Sequence, residues 1–168
     1  MIAYRIVKTR WGYCAFVAGD HGLVATFLPD GSRAAIRQLV RQRFQESQEN
    51  IGLLPKLAEA LRAYFEGRPT RFDVRLDLGA VTEFRRRALQ ACRRIPWGQT
   101  GTYADLARTA GSPNASRAAG SAMAHNPLPL VVPCHRVVRS DGSLGGFSSP
   151  QGVQLKRRLL QLEGVLSV

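Results

Sequence analysis

The sequence predicts an α+β protein in two parts, a small sheet-and-helix domain over residues 1–78 and a mainly helical domain over 79–168. Apolar and polar residues alternate from Ile2 to Leu28, which is a strand pattern. Two amphipathic helical periodicities follow, and beyond Leu78 short helical segments replace the alternation altogether.

The alternating stretch is broken by two turn signals, Trp11-Gly12 and Gly19-Asp20-His21-Gly22, so it reads as a small antiparallel sheet. Ser32 to Phe44 places Ile36, Leu39, Val40 and Phe44 on one helical face, and Pro55 to Phe65 does the same with Leu57, Ala58, Leu61 and Phe65. Phe72 to Leu76 alternates again, like a last strand. Asp77-Leu78-Gly79-Ala80 is the expected linker. Thr82 then opens a helix with Phe84, Ala88, Leu89 and Cys92 on its apolar face, stopped at Ile95-Pro96-Trp97-Gly98. Thr102-Tyr103-Ala104-Asp105 has the form of a capping box, opening a short helix to about Ala110. After Gly111-Ser112-Pro113 a second helix is expected from about Asn114 to Ala124, capped by Ser112 or Asn114. Two short helices across a glycine turn suggest a helix-turn-helix.

Twenty-four Lys and Arg against 12 Asp and Glu give a formal charge of +12 in 168 residues, and 21 of the basic residues are Arg. Residues 1–78 hold 12 basic and 8 acidic side chains (+4), and residues 79–168 hold 12 and 4 (+8). That excess favours an anionic partner such as nucleic acid, although a solvated basic surface fits it too. No window reaches the roughly 18–20 apolar residues of a membrane span, and the first residues lack a secretion signal, so a cytoplasmic protein without membrane contact is expected. Cys14, Cys92 and Cys134 form no CxxC pair, and with His21, His125 and His135 they show no zinc spacing. Reduced thiols and no metal are expected, with Cys14 and Cys92 packed as small apolar groups.

The second helix of the pair is almost entirely Ala, Gly and Ser, with Arg117 its one charged residue. Two readings fit: an Ala-rich helix packed tightly against its neighbours, or a helix whose bare backbone presses into the minor groove, about 6 Å wide, where long side chains would not fit. On the second reading Arg117 is the probe long enough to enter the duplex.

Asn126-Pro127-Leu128-Pro129-Leu130-Val131-Val132-Pro133-Cys134-His135-Arg136-Val137-Val138 is the most informative run. Its three prolines forbid a helix and place Cys134 at the end of a short buried strand. A thiol with a pKa of about 8.5 needs a base or a positive field to act as a nucleophile, and His135 and Arg136 are the local candidates. Neighbours on a strand point apart, so a water between Cys134 and His135 is the natural geometry. Glu163 is the one acidic residue near the C-terminal end and so the candidate to orient the imidazole. A packed cysteine beside a structural histidine remains the competing reading of the bare pair.

Pro133-Cys134-His135-Arg136-Val137, preceded by Asn126-Pro127 and followed by Gly145-Gly146-Phe147, resembles the active-site signature of the O6-alkylguanine-DNA alkyltransferases, or methylated-DNA–protein-cysteine methyltransferases. The resemblance runs from about Thr82 to Gly164 through Ile95-Pro96-Trp97-Gly98-Gln99-Thr100, Tyr103, Arg117-Ala118 and Leu159 to Gly164. The N-terminal part is similar to the family's ribonuclease-H-like domain only in element order.

The resemblance implies a ribonuclease-H-like scaffold over 1–78 and a DNA-binding alkyltransferase domain with the helix-turn-helix over 79–168. Cys134 would accept the alkyl group from guanine O6 and end as a thioether, once per molecule. His135 would be the base, through water, with Glu163 orienting it and Asn126 bracing the turn. The target atom faces the major groove, so entry from the minor groove requires the nucleotide to swing out. Arg117, next to Ala118, would fill the vacated place, and Tyr103 would crowd the adjacent phosphate and donate to guanine N3. Carbonyls of Cys134 and Val137 with the N–H of Ser148 would read the base edge, Met123 would line the pocket, and Arg136 and Phe147 would complete the substrate contacts. The loop from Ser140 to Gly152 would be the pocket wall. Phe147 stands where many members have Tyr, and the following loop, Ser149 to Gln154, is about two residues longer than in some relatives. The implied partner is double-stranded DNA containing O6-alkylguanine, bound by a monomer, alone or cooperatively along the duplex; no cofactor is implied. A DNA-binding module without chemistry and a thiol hydrolase are the competing functional classes, and no oxyanion-site motif supports the hydrolase.

Overall fold

Alternating side chains make the first 27 residues a three-stranded meander: β1 (Ala3–Thr9) and β2 (Gly12–Gly19) pair antiparallel from Thr9↔Gly12 to Ala3↔Ala18, and β3 (Gly22–Phe27) pairs antiparallel with β2. The structure, a computed structural model, describes residues 1–147 and 151–167. Its chain divides into two units, residues 1–79 with 127–129, and residues 80–126 with 130–168.

In the first unit a two-residue β4 (Gln48–Glu49), which the sequence pattern did not suggest, joins β1 in parallel, giving the order β3-β2-β1-β4. Tyr4, Ile6, Ala15, Val17 and Ala25 form one core with Ile36 and Val40 of α1 (Arg33–Arg43), whose N-cap Ser32 accepts the Ala35 N–H. Val7, Cys14 and Phe16, which alternate with those strand residues, are buried too, so the centre of the sheet is covered on both faces. Pro55 begins α2 (Pro55–Phe65), where its missing N–H costs nothing. Burial drives the Cys14 thiol up to about 12, as a packed, inert cysteine requires.

The strand expected over Phe72 to Leu76 reduces to one parallel bridge, Leu23↔Leu76, held by Leu23 N–H to Arg75 O (2.9 Å) and Asp77 N–H to Leu23 O (2.8 Å). Alternation is present there, but the backbone meets a ladder partner only at its end. Gly22 permits that meeting: its φ is +131° and a Cβ would lie 2.6 Å from the Arg75 carbonyl oxygen.

In the second unit Thr82 caps α3 (Glu83–Arg93), which buries Ala88, Leu89, Ala91 and Cys92. The capping box is formed in full: the Asp105 N–H donates to Thr102 Oγ1 (3.0 Å) and the Thr102 N–H to Asp105 Oδ2 (3.2 Å), opening α4 (Tyr103–Thr109). Gly111, at φ +89°, turns the chain toward α5. α5 (Ser116–Ala124) starts later than expected, after Ala115 and without a side-chain cap, so neither Ser112 nor Asn114 caps it. A short parallel pair, β5 (Gly101–Thr102) with β6 (Val137–Val138), ties the start of α4 to the segment following Cys134. α6 (Gly152–Leu162) closes the unit against the residues around Cys134. Among the described residues no helix is long and apolar enough to cross a membrane.

Candidate active site

Residues 130–133 do not form the expected strand. Leu130 sits at φ +77°, which breaks extended pairing, and Cys134–Arg136 form a single 3-10 turn before β6. The turn is braced by Asn126, whose Nδ2 donates to the Val132 carbonyl at 2.8 Å and whose side chain also hydrogen-bonds the Cys134 thiol.

Cys134 is 6% exposed, and that opening faces a pocket of about 620 Å³. Tyr103 of α4 and Arg117, Gly120 and Met123 of α5 line one side, and Gly145, Gly146 and Phe147 line another. Gly120 of α5 faces the Tyr103 ring, and a Cβ there would make ordinary contact with it at 3.8 Å. Gly145 is tighter still, at φ +74° with a Cβ position 2.9 Å from the Tyr103 hydroxyl.

The same turn carries a buried charge chain. His135 Nε2 is 2.6 Å from Glu163 Oε2. The same carboxylate takes two hydrogen bonds from the Arg136 guanidinium, Nε to Oε1 at 2.7 Å and Nη2 to Oε2 at 3.1 Å, while Arg136 Nη1 donates to the Ile95 carbonyl at 2.6 Å. A carboxylate gripped by that fork is ionised and can only accept, so the imidazole's Nε2 carries the proton and Nδ1 the lone pair. Burial holds the His135 pKa below its usual value, outweighing the hydrogen bond that its Nε2–H donates to Glu163, and the ring is neutral near pH 7. Burial also raises the Cys134 thiol; Asn126, the Lys156 charge and the backbone N–H groups of Cys134 and His135 pull the other way. The resting sulfur is a protonated thiol with a neutral imidazole as its neighbour in sequence. Tyr103 is raised by burial and keeps its hydroxyl proton, so it is a donor.

Of the residues singled out from sequence, Cys134, Tyr103, Arg117, Met123 and Phe147 line this pocket, and His135, Glu163 and Asn126 support the thiol from behind or beside it. Arg136 is a correction: expected among the substrate contacts, it is 6% exposed and bound to Glu163 and Ile95, because the buried carboxylate needs a counter-charge. Val137 is fully buried, its carbonyl accepting from Lys156 at 2.6 Å and its N–H bonding the Cys134 carbonyl. Ala118 is exposed beside Arg117 on the outer face of α5. Ser148 lies outside the described residues, as does part of the loop from Ser149 to Gln154 and of the wall from Ser140 to Gly152.

Two residues were missed. Arg139, directly after β6, is exposed at the pocket rim. Lys156 is fully buried on α6, where Leu155, Leu159 and Leu160 mark the apolar face. The signal was available: Lys156 stands four residues before Leu160, on the buried stripe, and is the one lysine among the 12 basic residues beyond Leu78.

Comparison with known proteins follows the same division of the chain. The DNA binding domain of 6-O-methylguanine DNA methyltransferase matches residues 83–165, and the ribonuclease-like domain of the same protein matches residues 2–78. A methylated-DNA–protein-cysteine methyltransferase of Sulfolobus acidocaldarius is 46% identical over 165 residues, covering 98% of this chain and 95% of its own. One from Mycobacterium tuberculosis is 36% identical over 167 residues, covering 97% and 93%. The crystal structure of the M. tuberculosis O6-methylguanine methyltransferase superposes with a TM-score of 0.78 at 34% identity, covering 97% of this chain and 93% of that one. The M. tuberculosis OGT in complex with DNA gives 0.79 at 33%, covering 96% and 93%. With both domains matched in order and relatives at this identity spanning nearly the whole chain, the protein belongs to the 6-O-methylguanine DNA methyltransferase family.

Proposed function

We propose that the protein repairs O6-alkylguanine in duplex DNA by moving the alkyl group to Cys134, once per chain. The observation that carries the reading is the position of the thiol: it lines a pocket of about 620 Å³, and the residues directly after it, His135 and Arg136, are bound to the buried Glu163. Residues 79–168 bind the duplex and carry the chemistry, and residues 1–78 act as scaffold. The chain works as a monomer in the compartment that holds the DNA, and the reaction needs only the lesion and the thiol.

α5 approaches the minor groove, and Arg117 takes the place of the extruded nucleotide. The base enters the pocket beside Met123 and Phe147. The Cys134 proton passes toward Nδ1 of His135 through a water, because Nε2 is engaged by Glu163. Sγ then attacks the alkyl carbon in line with O6. The S–C bond forms as the C–O6 bond breaks, the electron pair leaves with guanine, and guanine takes up one proton in place of the one His135 received and returns to solvent, with the Tyr103 hydroxyl hydrogen-bonding the ring as its charge develops. Thioether and guanine are the products, and no step returns the thiol.

Cys134→Ser tests this directly. It should keep duplex affinity and lose transfer, as a hydroxyl is a much poorer nucleophile. Equal transfer by the serine variant would overturn the assignment, and binding with no covalent change in the parent protein would make this a recognition module.

A further inference from the structure

Lys156 is the buried cation that the reaction just described does not use. It is fully buried, and its Nζ donates to three backbone carbonyls: Val137 O at 2.6 Å, Leu144 O at 2.5 Å and Gly146 O at 3.3 Å. Among the described residues no carboxylate lies within ion-pair distance of it. Its ammonium also stands 5.9 Å from the centre of the Tyr103 ring.

Those acceptors belong to two different parts of the site. Val137 follows the turn that carries Cys134, whereas Gly146 lines the pocket and Leu144 directly precedes the lining pair Gly145-Gly146. Gly145, between them, is the residue that meets the Tyr103 hydroxyl. An ammonium has three N–H donors in tetrahedral array, and here each finds a carbonyl. The wall has no ladder partner of its own, being irregular from Ser143 to Phe147. Its height over the sulfur is therefore set by what it is tied to.

We infer that Lys156 is a positioning residue that fastens the 144–146 wall to the Cys134–Val138 segment, holding the pocket at the width a flat base needs. This rests on the reading that the alkylated base occupies that pocket. The groups facing Lys156 are Cys134, with His135 beside it, on the turn, Cys92 on α3, Tyr103 on α4 and Arg139 beyond β6. Burial lowers the ammonium to about 8, opposed by the two cysteines and assisted by Arg139, so the charged form with all three donors holds at neutral pH and gives way above it to an amine with two.

The test compares wild type with Lys156→Met, which keeps the length of the side chain and removes the donors. Three quantities are read: the half-saturating concentration of an O6-methylguanine duplex for transfer, the affinity for an unmodified duplex, and the rate at which iodoacetamide labels Cys134. The last needs the sulfur but not a shaped wall. The variant should raise half-saturation about tenfold or more and leave unmodified-duplex affinity within about threefold, while labelling falls by less than half-saturation rises, because the Lys156 charge is only one of several groups that favour the thiolate. Equal losses in transfer and labelling would mean that Lys156 acts on the sulfur, and unchanged half-saturation would mean that it does nothing for the pocket; either overturns the inference. Should the variant fail to fold, Lys156→Arg is read instead: it keeps the charge but replaces the three tetrahedral donors with a larger planar fork, so half-saturation should rise while labelling stays close to wild type, and unchanged half-saturation overturns the inference. If wild type transfers nothing to Cys134, the functional reading itself fails, which is a separate outcome.

Discussion

His135 and Glu163, 28 residues apart in sequence, meet at 2.6 Å with both side chains sealed from solvent. The carboxylate is ionised because Arg136 grips it, and that fixes which imidazole nitrogen holds a proton. Glu163→Gln keeps the shape and removes the charge, leaving Arg136 buried without its partner. Transfer should slow by about 100-fold, the lower end of what a positioned acid-base group contributes, because His135 stays but loses its orienting partner. Urea unfolding should lose stability toward the lower end of the about 3–5 kcal/mol typical of a broken buried pair. Duplex affinity should stay within about twofold, since Glu163 is remote from the α5 face. A larger loss of binding than of transfer contradicts the role.

The same pair sets the pH response. Burial keeps the folded His135 pKa below its usual value, so below about pH 6.5 the unfolded chain takes up a proton that the native ring refuses. This contribution to stability is therefore complete above about pH 6.5 and is lost as pH falls toward the lower folded value. Transfer, which needs the neutral ring, should persist below pH 6.5 while urea stability declines. A transfer rate that titrates at the ordinary histidine value contradicts the buried, neutral imidazole.

Much of this arrangement is legible in sequence where the cause is local. Ser32, Thr82 and the Thr102/Asp105 pair mark helix starts because capping involves residues three apart, and Pro55 marks one because the first turn does not need its N–H. Glu163 is legible for another reason, being the one acid available near the C-terminal end. What is not legible depends on partners distant in sequence. Phe72 to Leu76 has strand alternation, but only the approach to Gly22 decides how much pairs. The run before Cys134 is apolar and proline-rich, and the left-handed Leu130 turns it away from a strand. Arg136 reads as a charge beside Cys134 and, by the family resemblance, as a substrate contact, and only the buried Glu163 carboxylate claims it for the interior.

Arg117 stands exposed on α5 at the pocket mouth. Arg117→Ala should slow transfer from a modified duplex by about tenfold or more and leave transfer from the free modified base nearly unchanged, because only the duplex must extrude its nucleotide. Equal slowing of both substrates contradicts the probe role.

Arg139 shares that mouth, with no ion-pair partner among the described residues. Arg139→Gln should weaken duplex binding at low salt and reduce the slope of log affinity against log salt by about 1, as the loss of one phosphate contact does. An unchanged slope removes Arg139 from the DNA footprint.

Gly145 holds the wall against Tyr103. Gly145→Ala places a methyl 2.9 Å from the Tyr103 hydroxyl in a left-handed backbone, so the tyrosine must shift. The backbone term alone should cost about 1–2 kcal/mol of stability, read by urea unfolding. Transfer should fall further than stability accounts for, whereas wild-type transfer would show that the wall tolerates displacement.

The central claim is that one sulfur is consumed per lesion repaired. Incubation with an excess of duplex carrying O6-methylguanine, followed by peptide mass spectrometry, should place one methyl group on the Cys134 peptide of every chain, with repair stopping at one lesion per protein. Continued repair beyond that ratio, or a methyl found on Cys14, Cys92 or no cysteine at all, would contradict it.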